Sequence, residues 1–148
     1  MFKTTTIKQK DLQQKWYLID AQGIRLGRLA TNVAGLIMGK NKVARTNNIN
    51  NGDVVVVVNS GKVDIYKNKP EKKKYRPHSG YIGRIHEQTF AELIKKNPGK
   101  IINSAVKGML PQNKLGKMLL KNLYVYPEAD HPHSAQKPIQ IKLKNINK

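Results

Sequence analysis

The amino-acid sequence predicts an α/β domain built on a parallel sheet, and three consecutive stretches carry this prediction. Residues 16–21, WYLIDA, form a short aromatic and aliphatic run that is typical of a strand. Apolar residues then recur at helical spacing over residues 23–40. The third stretch, GDVVVVVNSG, has no polar alternation, as expected for a strand buried on both faces. Strand, helix and buried strand make a βαβ unit, whose two strands run parallel.

The predicted helix between these strands is amphipathic. Its apolar stripe consists of Leu26, Leu29, Ala30, Val33 and Leu36. Arg25 and Arg28 fall on the opposite stripe, so we expect this helix to present cations on its outer face.

The segment after the buried strand is predicted to form a short strand and then a long loop. Residues 62–66, KVDIY, are predicted as a further short strand. Residues 67–86 then lose all periodicity and form a long basic loop. Long loops in compact domains are usually functional or disordered. We expect this loop to be mobile without a partner, because nothing within it offsets the entropy of ordering.

Three helices are predicted to follow the loop. Thr89 and Glu92 have the spacing of a capping box, which opens a helix ending near residue 97. A second helix covers 100–110, and Pro111 separates it from a third at 113–122 because proline cannot continue a helix. The positions expected to be buried are Ile102, Ala105, Val106 and Met109 in the second helix and Leu115, Met118 and Leu119 in the third.

The two ends of the chain lack such patterns. Residues 123–126, LYVY, are predicted as the last strand, and residues 127–148 as an extended tail interrupted by prolines. Residues 1–15 form a basic N-terminal extension. No linker divides the chain, so residues 1–148 are predicted to be a single domain. No apolar run is long enough to span a bilayer, which argues against a membrane partner.

The charge balance points to a polyanionic partner. The 148 residues carry 28 Lys and Arg against 9 Asp and Glu, a formal net charge of +19. Repulsion among so many positive charges opposes compaction of the chain. Solubility does not explain the excess, because acidic residues increase solubility at least as well. Nucleic acid is the commonest polyanion that such a surface binds.

Several chemistries fit the sequence poorly. There is no cysteine, which excludes disulfides, thiolate catalysis and zinc held by cysteine. The turn after the first strand has only Gly23 and Gly27, so the G-x-G-x-x-G pattern of dinucleotide sites is absent. The GLIMGKN stretch is one residue too short for a P-loop and has Asn41 where serine or threonine is needed. A nucleotide-dependent enzyme therefore remains only as a rival hypothesis.

Metal binding and acid–base catalysis are disfavoured for similar reasons. His131 and His133 stand in a proline-rich stretch, where bonds to backbone or to RNA are the simpler expectation than a metal site. Asp20 and Asp53 lie near predicted strand ends, but no nucleophile is paired with them. Asp53 is more simply a turn residue before the buried strand. We expect no cofactor, no metal and no enzyme activity.

Basic residues form the remaining candidate site. Lys100 and Lys107 share one face of the second helix, and Lys114, Lys117 and Lys121 share one face of the third, with no acid on either face. Lysine and arginine neutralise phosphates, and tyrosines can stack on unpaired bases. The residues expected to contact RNA are Arg25, Arg28, Lys40, Lys42, Lys67, Lys69, Lys72, Lys73, Lys74, Tyr75, Arg76, His78, Tyr81, Arg84, Lys107, Lys114, Lys117, Lys121, His131, His133 and Lys137.

Five stretches resemble the universal L-thirteen family of large-subunit ribosomal proteins, in its bacterial form. They are WYLIDAQGIRLGRLAT, GDVVVVVNSGKV, YRPHSGYIGR, AVKGMLPQNKLGK and LYVYPEADHPHSAQKP, in family order and spacing. The resemblance covers residues 16–138, and AVKGMLP is its most specific motif. It implies a three-layer α/β/α domain with a small, mostly parallel sheet.

The resemblance also implies a role. Such a protein is a structural constituent of the large ribosomal subunit, binds large-subunit ribosomal RNA and joins early in assembly, without enzyme activity. Its partners would be this RNA and neighbouring ribosomal proteins, it would not form homo-oligomers, and it would reside in the ribosomes of the cytoplasm or of a plastid. A non-ribosomal RNA chaperone is the alternative.

Three loops depart from the pattern of the resembled family. YIGR stands at residues 81–84 where members typically have YPGG, YKNK stands in place of TGNK, and ARTNN replaces the usual Tyr-Thr-Pro after the first helix. Two of these changes add a cation. They alter the expected RNA contacts of the loops and leave the expected fold unchanged.

Overall fold

A computed structural model describes residues 8, 12–43, 45–46, 48–66, 69–70, 72–76, 80 and 87–143. The strands within these residues are β1 (Trp16–Asp20), β2 (Val54–Val58), β3 (Lys74–Tyr75), β4 (Gln88–Thr89), β5 (Leu123–Val125) and β6 (Ile139–Ile141). The helices are α1 (Leu26–Ile37), α2 (Phe90–Lys96), α3 (Pro98–Met109) and α4 (Lys114–Leu120). Short 3-10 turns occupy Ser60–Lys62 and Ser134–Gln136.

The main sheet has four parallel strands in the order β5-β2-β1-β6. β1 and β2 pair in register from Trp16 opposite Val54 to Asp20 opposite Val58. α1 connects these two strands, so the predicted βαβ unit and the α/β class are confirmed. β3 and β4 form a separate antiparallel pair that brackets residues 76–87.

The first face of the sheet and the helices form one hydrophobic core. Val55 and Val57 of β2 belong to it, because alternate residues of a strand share a face. α1 packs against both β2 and α3, and all four helices contribute buried side chains. The completely buried members of this core are Ile19, Ala21, Leu29, Ala30, Val33, Ile37, Val55, Val57, Ile102 and Val106. The apolar stripe predicted for α1 is therefore confirmed at Leu26, Leu29, Ala30 and Val33, while Leu36 is half-buried.

The second face of the sheet is covered by an aromatic cluster, defined here as Trp16, Tyr124, Tyr126 and His133. Trp16 and Tyr124 come from the strands on either side of β2 and stack with their ring centroids 5.8 Å apart. His133 lies 5.1 Å from Trp16 and 4.6 Å from Tyr124, and its Nε2 is 2.9 Å from the Tyr126 hydroxyl. Val54, Val56 and Val58 are buried on this side, so β2 is buried on both faces as its composition predicts.

The helix starts follow their capping residues. Thr89 accepts a hydrogen bond from the Glu92 amide at 3.3 Å, and the Glu92 carboxylate accepts one from the Thr89 amide at 3.1 Å. The predicted capping box is thus confirmed. α3 begins at Pro98, two residues earlier than predicted, since Asn97 caps the Lys100 amide and proline suits the first helical position.

Three predictions of local structure are wrong. Residues 62–66 form no strand, and only an isolated bridge joins Asp64 to Arg25. Met109 and Met118 are 42% and 50% exposed instead of buried, because the apolar stripes of α3 and α4 extend beyond the core that covers Val106 and Leu119. LYVY forms β5 as predicted, but β6 follows it in the proline-rich tail and pairs with β1.

Candidate nucleic-acid interface

α3 presents a polar, cationic face to solvent. The Asn97 side chain caps its first turn, accepting from the Lys100 amide at 3.2 Å. Ile102 and Val106 are completely buried, which turns the opposite side of the helix outward. Lys100 and Lys107 are exposed on that side, as predicted, together with Asn103.

α4 holds a second cationic face next to the first. Its first turn is capped by Asn113, whose Oδ1 accepts from the Gly116 amide at 2.8 Å. Gly116 is buried, and a side chain there would overlap the Pro111 carbonyl oxygen, so only glycine fits this turn. Lys114, Lys117 and Lys121 are all exposed. The turn at Pro111 therefore fixes how these lysines stand relative to α3.

A basic track, defined as Arg76, Lys100, Ser104, Lys107 and Lys117, connects these helices to the β3–β4 pair. Arg76, Lys100 and Ser104 line a small depression beside β3 and β4. Ser104 also lines a larger groove between α3 and α4, together with Lys107 and Lys117. Because one residue borders both depressions, the cations lie along one continuous surface.

The β3–β4 pair carries cations that face an acid. Lys74 Nζ and Arg76 Nε each lie 2.7 Å from a Glu87 carboxylate oxygen. The hydrogen bond from Lys74, with the nearby charge of Arg76, lowers the pKa of the Glu87 carboxyl below its usual 4.5, against a smaller opposing effect of desolvation. Part of the positive charge at this end of the track is thus neutralised within the molecule.

Tyr75 has a packing role in this pair. Its ring is half-buried against the core, and Lys73 Nζ lies 5.3 Å from the ring centroid. Burial raises the pKa of the Tyr75 phenol. Lys69 and Lys72 are exposed. Of the remaining predicted contacts in the basic loop, Lys67, His78, Tyr81 and Arg84 lie outside the described residues.

The cations around α1 differ from one another in their surroundings. Lys42 Nζ lies 2.6 Å from Asp53 Oδ1 and donates to the Gln13 carbonyl oxygen at 2.8 Å. Asp53 is completely buried and also accepts from the Lys15 amide at 3.0 Å. The ion pair ties the loop after α1 to the start of β2, and the two hydrogen bonds tie both to the segment before β1. Lys42 is therefore part of the fold.

Arg25 is half-buried, and its guanidinium carbon lies 5.7 Å from the centroid of the Tyr66 ring. Arg28 and Lys40 are exposed, at opposite ends of α1. None of these three predicted RNA contacts lines either depression of the basic track.

Of the predicted sites in the tail, one is placed on the second face of the sheet by its ring contacts. His133 belongs to the aromatic cluster, and His131 is half-buried. Lys137 is exposed and ends the second 3-10 turn with a left-handed φ of 48°. The structure therefore brings Arg76, Lys107 and Lys117 onto one surface, and none of these tail residues lines either of its two depressions.

Sequence reasoning missed the roles of two acids. Asp53 directly precedes a fully buried run of valines, which is a signal that its carboxylate needs an internal partner. Glu87 is the first acid after a long basic segment, which makes an ion pair with that segment's cations a natural expectation. Both acids determine which cations are left to contact an external phosphate.

Other kinds of site find no support within the described part of the chain. No group of three His, Cys, Asp or Glu side chains among these residues could hold a metal ion. None of the helices described has the length and apolar character needed to cross a membrane.

Comparison with known proteins identifies the family. The model of the family described as Ribosomal protein L13 matches residues 14–132. The "Large ribosomal subunit protein uL13" of Picosynechococcus sp. (strain ATCC 27264 / PCC 7002 / PR-6) is 48% identical over 146 residues, which are 99% of this chain and 97% of that protein. The proteins of the same name from Petrotoga mobilis (strain DSM 10674 / SJ95) and Mycoplasmopsis pulmonis (strain UAB CTIP) are 47% and 46% identical. They cover 95% and 97% of this chain, and the chain covers 93% and 100% of them. The family is one of structural, non-enzymatic ribosomal proteins, and the chain belongs to it.

Proposed function

We propose that this protein is a structural constituent of the large ribosomal subunit that binds large-subunit ribosomal RNA through the basic track. The continuity of this track from Arg76 to Lys117 carries the proposal. Between residues 93 and 127 the chain has seven lysines and no aspartate or glutamate. A surface of one sign over this length suits the phosphates of RNA and suits few other partners.

The proposed location and partners follow from the same argument. The relatives are named as large-subunit ribosomal proteins, so the ribosome is the proposed place of action and neighbouring ribosomal proteins are proposed partners. An early role in subunit assembly is also proposed. It is supported by the fold, because the domain has its own hydrophobic core and can present the track before other proteins arrive.

The test is binding to transcribed large-subunit ribosomal RNA at several salt concentrations. We expect log K to fall linearly with log salt, with a slope of about −0.7 to −0.9 for each phosphate contacted. Small-subunit ribosomal RNA, compared at equal nucleotide concentration, serves as the control and should bind more weakly. Equal binding to both RNAs would favour the RNA-chaperone alternative instead.

A second measurement addresses the ribosome itself. The protein, expressed in a bacterium with a small tag, should sediment with large subunits and remain there through a high-salt wash. Release into the unbound fraction at that step would contradict a structural role in the subunit. Early assembly predicts that the protein is also present in large-subunit precursors that lack later proteins.

A further inference from the structure

The groove between α3 and α4 is an open, partly apolar depression of about 420 Å3. Leu110 and Leu120 supply apolar surface, together with the ring of Pro111. Leu110 is buried, whereas Lys107 and Lys117 are exposed, so the groove has an apolar floor and a cationic rim.

The walls of this groove are held in place by the turn between the helices. The Asn113 side chain caps the Gly116 amide at 2.8 Å, and the Gly116 backbone packs against the Pro111 carbonyl. Pro111 fixes its own φ angle and cannot extend α3. The groove is thus formed by the fold itself and needs no ligand to shape it.

Gly108 lines the groove, and nothing in the fold requires a glycine there. A Cβ added at Gly108 would meet no atom within 4 Å, and its φ is not in the left-handed region. Glycine within a helix is less stable than alanine. The missing side chain therefore lowers helix stability while leaving the groove open beside the Lys107–Lys117 rim.

The chemistry of the groove identifies its occupant. An apolar floor accepts a flat ring, and lysines on the rim attract negative groups attached to that ring. Ser104 and Gln112 also line the groove and can hydrogen-bond to polar edges. A nucleotide combines these features, whereas an apolar protein segment gains nothing from the lysines.

We propose that an unpaired nucleotide of RNA inserts its base into this groove, with the flanking phosphates on Lys107 and Lys117. The inference rests on the proposed function, since it takes the partner to be RNA. It adds a base-binding site to what would otherwise be contacts to the phosphate backbone alone.

Glycine substitutions separate the groove from the fold. Gly108→Ala should raise the melting temperature by a few degrees through helix propensity and weaken binding to transcribed large-subunit ribosomal RNA roughly 10-fold. Gly108→Leu fills more of the groove and should weaken binding further. Gly35→Ala is the matched control, because Gly35 lies in α1 and a Cβ there also meets no atom within 4 Å. It should stabilise the protein similarly and leave the affinity unchanged.

Base-directed chemical probing completes the test. Dimethyl sulfate reactivity should show unpaired bases that the wild-type protein protects and that become reactive again with Gly108→Leu. Gly108→Ala binding as tightly as Gly35→Ala, with the same bases protected, would overturn the groove proposal alone. If Gly108→Leu binds RNA normally but is lost from subunits reconstituted with the other proteins, the groove proposal is overturned, and a protein segment is the occupant instead. Failure of the wild-type protein to bind the RNA would instead refute the proposed function.

Discussion

Three cations that precede α2, namely Lys42, Lys74 and Arg76, differ from those of α3 and α4 in what lies beside them. Lys42 faces the buried Asp53, and Lys74 and Arg76 share Glu87. α3 and α4 lie in a stretch without any acid, and Lys107 and the α4 lysines are exposed. The net charge therefore does not measure how many cations can reach a phosphate. The positions of the acids decide that number.

The ion pair at Asp53 gives the largest expected effect on stability. Lys42→Ala leaves a completely buried carboxylate with only the Lys15 amide as a hydrogen-bond donor. Removing one partner of such a pair costs about 3 kcal/mol, which corresponds to a fall in melting temperature of roughly 10 °C. Lys40→Ala, at a neighbouring exposed position, is the control and should melt like the wild type. A thermal melt of both variants checks this, and equal melting temperatures would show that Lys42 does not serve the fold.

The acid-free lysines should show the opposite pattern. Replacing Lys107, Lys114 and Lys117 together by alanine should leave the melting temperature unchanged, because all three are exposed. It should weaken RNA binding by about 10- to 100-fold and flatten the salt slope by about 2 to 3. The double change Lys74→Ala and Arg76→Ala is the comparison. It should weaken RNA binding less per positive charge removed, because Glu87 already neutralises part of the charge of these two residues. Equal effects per charge would remove the distinction between the two regions.

Removing the acid of the β3–β4 pair should make Lys74 and Arg76 as available to RNA as the lysines of α3 and α4. Glu87→Gln keeps the side-chain shape and releases Lys74 and Arg76 from their ion pairs. RNA affinity should rise by about 2- to 5-fold, and the salt slope should steepen by about 1. Glu128→Gln changes the net charge equally at an exposed position outside the pair, and should alter the slope less. If both variants behave alike, only the overall charge matters.

The smallest expected effect is the pH dependence of the Glu87 ion pairs. The folded-state pKa of Glu87 is lowered below 4.5, so these pairs stabilise the folded protein above that pH. The contribution is lost as the pH falls through the folded-state pKa. The difference in melting temperature between wild type and Glu87→Gln should therefore be constant from pH 7 to 5 and shrink below pH 4.5. A difference that persists at pH 3 would mean that the pairs do not stabilise the fold.

The elements that were predicted correctly have local signals. The valine run of β2, the apolar stripe of α1 and the Thr89–Glu92 capping box each depend on residues within a few positions of one another. The exposure of the lysines on α3 and α4 follows from the same helical spacing. The polar side of the candidate site was therefore largely visible in the sequence.

Features that depend on distant residues were not predictable in this way. Periodicity does not show where a core ends, so Met109 and Met118 were expected to be buried. The three residues of β6 alternate apolar and polar side chains as a strand does, but the run is short and follows a proline-rich stretch. Its pairing with β1, more than 100 positions earlier, is not visible in a local pattern. The groove beside Gly108 depends on the angle between two helices, which no local pattern specifies.

The pairing of β6 with β1 has a consequence for synthesis. Ile139 and Ile141 lie opposite Tyr17 and Ile19, so β1 acquires its second neighbour only from a segment made more than 100 residues later. Until then a nascent chain holds β1 with one edge unpaired, which is the kind of surface that recruits strands from other molecules. The long sequence separation also slows the final closure of the sheet. Newly made protein should therefore be most prone to aggregate just before residues 139–141 emerge, when the rest of the sheet can already form.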